Sequence, residues 1–161
     1  MQRCPEPELM NASDQVIAYA EADFSAGDQS VLEGLLSLID SSCVTLPPAS
    51  LILDLGCGPG NISERLASCW PLSDVIGIDG ASSMISMANQ RLFTRKPAIQ
   101  NLKYQHIDLS HCSLDDLQQI KGASVIVSNS LLHHLHNPQT LWDAVKQLAA
   151  PNAYILHRDL R

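Results

Sequence analysis

Leu51-Ile52-Leu53-Asp54-Leu55-Gly56-Cys57-Gly58-Pro59-Gly60-Asn61 is the stretch on which the reading of this 161-residue chain turns. A branched apolar run ends in an acid, glycines follow at alternate positions, and a helix-like segment comes next. The pattern predicts a buried strand that runs into a turn where a ligand approaches the backbone closely. Glycine suits that turn because it has no Cβ and tolerates positive φ. The turn also opens at a helix N-terminus, whose free N–H groups and positive dipole end favour an anionic group.

The glycine spacing separates cofactor classes. A dinucleotide fingerprint places glycines first, third and sixth. Gly56 and Gly58 fill the first two places, but Asn61 holds the sixth and the extra glycine is Gly60. With Asp54 two residues ahead, the Asp-x-Gly-x-Gly-x-Gly pattern resembles motif I of the class I S-adenosylmethionine (SAM) dependent methyltransferases. The resemblance implies that Gly56, Gly58 and Gly60 wrap the methionine and sulfonium region of SAM and that Asp54 lies near its amino group.

Downstream segments stand at matching distances. Asp74-Val75-Ile76-Gly77-Ile78-Asp79 ends in an acid 23 residues after Gly56. An acid there, at the carboxyl end of the neighbouring strand, can accept hydrogen bonds from both ribose hydroxyls. Asp79-Gly80-Ala81-Ser82-Ser83-Met84-Ile85 resembles the family's second motif, in which the Asp holds ribose and an apolar residue, here Met84, packs near adenine. The plainer alternative for Asp79 is a turn former or helix cap, although Ser82 and Ser83 are available as caps. Tyr104-Gln105-His106-Ile107-Asp108-Leu109 puts Asp108 just past the third strand. The resemblance implies contact of Asp108 with the adenine amino group and of the Leu109 backbone with the ring; a simple loop Asp is the alternative.

The fourth strand runs into Ser128-Asn129-Ser130-Leu131-Leu132-His133-His134-Leu135. Asn129 leaves the sheet beside the first strand, at the switch point where open α/β sheets bind ligands. The wording is similar to that of many small-molecule methyltransferases, which implies Asn129 at the methyl-transfer mouth and His134 in the pocket. His133, His134 and His136 are adjacent or nearly so and point in different directions, and no acid cluster completes a metal set. A histidine acting as general base is an alternative to ordinary packing. No metal is expected.

Around these motifs the chain alternates strands at 51–55, 74–78, 101–105, 123–128 and 153–157 with helices at 60–69, 82–92, 113–120 and 138–149. Short branched runs between helical segments specify a parallel sheet covered on both faces. The expected fold is α/β, a Rossmann-like open sheet in strand order 3-2-1-4-5. Two N-terminal helices should precede it, one capped by Ser13 and ended by Gly27, the second from Asp28 to Ser42. Residues 1–44 then form a helical lid segment and 45–161 the SAM-binding part. By resemblance Tyr19 reaches the methionine carboxylate; equally, Tyr19 and Phe24 only anchor their helix.

The formal charge of −7 and a pI near 5.1 argue against a nucleic-acid partner, which needs a basic stripe. Arg91, Arg95, Lys96 and Lys103 are expected to solvate a helix and its exit loop. No signal-like segment follows Met1 and no apolar run could span a bilayer. Five cysteines without metal-like spacing read as reduced thiols of a cytoplasmic protein.

The resembled family carries two more strands after the fifth, whereas Arg161 follows strand five almost at once. A shortened form or gene fragment is favoured over a protein completed by a partner chain, and an uncovered edge strand invites pairing with a second copy or such a partner. The expected activity is SAM-dependent methyl transfer to a small-molecule acceptor. A SAM-binding but inactive module is the alternative, and a nicotinamide-dependent oxidoreductase a third reading that rests on the shared fold.

Overall fold

A computed structural model describes residues 23–42 and 45–159. Tyr19, Cys4, Cys43 and most of the first expected helix lie outside them. The elements are α1 (Ser25–Ser41), β1 (Leu51–Leu55), α2 (Asn61–Cys69), β2 (Asp74–Asp79), α3 (Ser82–Thr94), β3 (Leu102–His106), α4 (Leu114–Gln118), β4 (Ala123–Asn129), α5 (Gln139–Leu148) and β5 (Ala149–Arg158). The five strands form one sheet in the order β3-β2-β1-β4-β5, and every neighbouring pair is parallel. This is the expected Rossmann-like topology. Among the described residues no helix is long and apolar enough to cross a membrane.

Strand alternation builds the two layers of the core. Ile52 joins Val31, Leu35 and Ile39 of α1 and Ile62 and Leu66 of α2 on one face. Leu53 and Leu55 join Leu117, Ile120, Leu141, Ala144 and Leu148 on the other. Asp54 alternates with Leu53 and Leu55, so it shares the face of Ile52. An acid in an otherwise apolar central strand is therefore driven under the start of α2.

The structure corrects the expected break at Gly27, since α1 runs unbroken from Ser25 to Ser41. Glycine costs a helix interior about 1 kcal/mol. Here Val31, Leu35 and Ile39 bury a full stripe against the sheet, and each such burial is worth about 1.5–3 kcal/mol. Packing wins over propensity. Arg158, at the end of β5, also donates to the Gly27 carbonyl at 2.8 Å.

Three further details differ from expectation. β5 begins at Ala149, directly where α5 stops, and a register shift against β4 absorbs Pro151 and Asn152, the latter at φ 63°. Ala81, not Ser82 or Ser83, stands at the N-cap of α3, and its own side chain supplies no cap. Arg91 and Arg95 do not merely solvate their helix, because both pair with the buried carboxylate of Glu64, Arg95 at 2.5 Å. Ser113 and Asp116 close a reciprocal capping box on the short helix α4.

A candidate cofactor crevice

At the carboxyl end of β1 the chain makes three consecutive positive-φ glycine turns, Gly56 at 72°, Gly58 at 53° and Gly60 at 91°. Gly60 is the N-cap of α2. A Cβ there would overlap the Tyr104 side chain, with its Cζ only 2.6 Å away, and the Tyr104 hydroxyl donates to the Gly60 carbonyl at 3.3 Å. Gly60 lines none of the cavities described below, and its requirement for glycine is internal to the fold.

Two small chambers flank this loop and meet at Gly56. The first is lined by Gly56, Ile78, Asp79, Ile107, Asp108, Leu109 and Leu131, among others. The second is lined by Phe24, Asp28, Asp54, Gly56, Gly58, Asn61 and Asn129, among others. They hold about 40 and 30 Å³. Leu131 lines the first and packs so closely on Gly56, which both share, that a Cβ there would lie 2.9 Å from its Cδ1. Turning the Leu131 side chain aside would open Gly56 to a ligand that spans both chambers.

Each expected residue among those described has a definite place. Asp79 sits at the end of β2, where its carboxylate accepts from the Gly58 N–H at 2.8 Å and the Ala81 N–H at 2.8 Å. It ties the glycine loop to the start of α3. Two ionised oxygens offer about four acceptor sites, so these bonds leave capacity for ribose hydroxyls. Burial pushes its carboxyl up, against the pull of those two N–H groups and of His134 and His106. Asp108 accepts from the Ser110 N–H at 2.9 Å and meets His111 Nδ1 at 2.9 Å. It is thus a turn former that also lines the first chamber, beside Leu109.

Asp54 is buried at 1% exposure. It accepts from the Ser63 hydroxyl at 2.6 Å and from the Ser63 backbone N–H, which caps α2 from outside the helix. Met84 packs with Ala81 and Met87 and lines neither chamber. His134 stacks on His133 with ring centroids 4.2 Å apart and also lines neither chamber. Among the described residues no three His, Cys, Asp or Glu side chains gather as a metal set would require.

Sequence reasoning missed two acids. Asp28 of α1 is 7% exposed and lines the second chamber. Its signal was present, because it occupies the apolar stripe of Val31, Leu35 and Ile39 at helical spacing. Asp159 follows β5 and accepts from the Leu132 N–H at 2.6 Å while meeting His133 Nδ1 at 2.5 Å. It pins the loop after β4 to the end of β5, and nothing local in the sequence announces that pairing.

Burial, outweighing the Ser63 bonds, raises the Asp54 carboxyl from 3.8 to about 7. An acid with a raised folded-state pKa stabilises the fold fully below its unfolded value and loses that contribution as pH rises through the folded one. Stability of the ligand-free protein should therefore fall by about 2 kcal/mol between pH 5 and 7 from this group alone, with Asp28 and Asp79 adding the same sign. Denaturant melts across that range check this, and Asp54→Asn should flatten the slope.

The donor set fits a sulfonium nucleoside: acids for a ribose and a cationic tail, and a small-residue floor between them. Comparison with known proteins agrees with that chemistry. A profile described as "Methyltransferase domain" matches residues 52–152, well over half the chain. Trans-aconitate 2-methyltransferase of Variovorax paradoxus (strain S110) is 47% identical over 49 residues, 30% of this chain and 19% of that protein. The enzyme of the same name from Klebsiella pneumoniae (strain 342) is 31% identical over 99 residues, 61% of this chain and 34% of that protein. This chain thus aligns with about a third or less of these relatives' lengths. Among solved structures, the plantazolicin methyltransferase BpumL, crystallised with a monoazolic desmethylPZN analogue and SAH, superposes with a TM-score of 0.64. It is 21% identical, over 89% of this chain and 51% of that one, a likeness of fold. By its profile match and topology, the chain belongs to the class I SAM-dependent methyltransferases.

Proposed function

We propose that this chain moves the methyl group of SAM to a small-molecule acceptor held over the carboxyl ends of β1 and β4. One observation carries the reading: the two acid-walled chambers meet over Gly56 at the switch point of the sheet. Asp79 takes the ribose, Asp108 and Leu109 border the base, and Asn129 faces the methyl group. The segment before residue 45 acts as a lid, through α1 and Asp28. SAM itself supplies a methyl carbon already activated by the sulfonium. What remains for the protein is alignment and exclusion of water, a positioning effect.

The relatives named for trans-aconitate suggest a carboxylate acceptor. Such a nucleophile is ionised at neutral pH and needs no base, and His134, which lines neither chamber, is given no proton to move. The test is transfer of labelled methyl from SAM to trans-aconitate and to a fractionated metabolite extract. Label in a small-molecule fraction supports the proposal; SAM binding with no transfer to any fraction overturns it. That second outcome favours a binding module acting through β5, the ten-residue strand at the sheet edge.

A further inference from the structure

Resting on the SAM reading above, we infer that Asp28 of helix α1, and not the motif acid Asp54, takes the α-ammonium group of the cofactor's methionine end. Both acids line the second chamber, but their carboxylates are differently occupied. Asp54 is turned to Ser63, whose hydroxyl and backbone N–H it accepts, and it is sealed at 1% exposure. Its work is to start α2. Asp28 accepts from the Asn61 side chain and borders open space on two sides.

The second of those spaces is a polar cavity of about 390 Å³ between α1, α2 and α3, which shares Phe24, Asp28 and Asn61 with the smaller chamber. Arg65, Arg91 and Arg95 also line it, with Asp23 and Glu64, and Glu64 is paired with Arg91 and Arg95. The junction at Asp28 therefore offers an acid to an ammonium, with the Arg65 guanidinium on the same cavity for the neighbouring carboxylate. A zwitterion matches that order of charges. Arg65, Arg91 and Arg158 are all near enough to favour the ionised Asp28, yet burial still outweighs them. A cation bound at Asp28 would favour its ionised form further, against that burial. An ammonium at Asp28 also ties α1 to the bound cofactor, which a contact with Asp54 would not do.

A calorimetric cycle tests this with known probes: SAH, its analogue lacking the α-amino group, and 5′-methylthioadenosine, which lacks the whole amino-acid end. Asp28→Asn should weaken SAH by at least about tenfold, the value of one charge-assisted hydrogen bond. It should leave 5′-methylthioadenosine within about twofold, which also shows that the variant is folded. Removing the ligand's amino group should cost the unaltered chain a similar factor and cost Asp28→Asn nothing more, the non-additivity expected of a direct pair. Additive losses, or SAH binding unchanged in Asp28→Asn, would overturn the assignment while leaving the SAM reading intact. Failure of the unaltered chain to bind either nucleoside would remove both.

Discussion

Gly60→Ala should melt about 4–20 °C below the unaltered chain, because two costs coincide at one residue. The left-handed backbone at φ 91° disfavours any Cβ by about 1–2 kcal/mol. The new methyl would also collide with Tyr104, whose ring packs over Gly77 and whose hydroxyl is bonded to the Gly60 carbonyl. Overpacking of that kind costs about 1–3 kcal/mol. For a domain of this size each kcal/mol moves the melting temperature by about 2–4 °C. Tyr104→Phe should not rescue the variant, since the ring carbon at 2.6 Å remains after the hydroxyl is gone. A thermal melt within about 2 °C of the parent would show that the loop has room the structure does not grant it.

The second large effect is expected at Asp79. Asp79→Ala removes an acceptor for ribose and also releases the Gly58 and Ala81 N–H groups it holds at 2.8 Å. Loss of two charge-assisted hydrogen bonds is worth on the order of 2–4 kcal/mol. SAM, SAH and adenosine should therefore all bind about 30- to 1000-fold more weakly, and by similar factors, because all three share the ribose. Asp79→Asn should lose less, since the amide oxygen retains one acceptor for the loop. Unchanged affinity for adenosine in folded Asp79→Ala would mean that Asp79 serves the turn alone.

The two effects separate what the sequence made legible from what it hid. The run from Leu51 to Leu55 could be placed because five apolar or acidic residues between turn signals admit few conformations. Asp79 could be placed because the crossover length fixes where the second strand ends. The third glycine could be seen but not explained: the residue that demands it, Tyr104, is 44 positions away on β3. Gly27 misled for the opposite reason. Its local signal says stop, while Val31, Leu35 and Ile39 gain more by continuing the helix than the glycine costs. Asp28 was legible in principle, as an acid on an apolar stripe, but its meaning needs the chamber wall that only folding supplies. Asp54 shows the same limit from the other side. The motif marked it as important, and the structure shows its carboxylate turned to Ser63 at the start of α2.

A crystal structure of the chain with SAH tests the central claim most directly. The account predicts the ribose hydroxyls on the Asp79 carboxylate, the base beside Asp108 and Leu109, the sulfur over Gly56 and the ammonium at Asp28. It also predicts that the Leu131 side chain has swung off Gly56 to let the nucleoside through. SAH bound outside the two chambers, or a crevice still closed by Leu131 in crystals grown with saturating SAH, would contradict it.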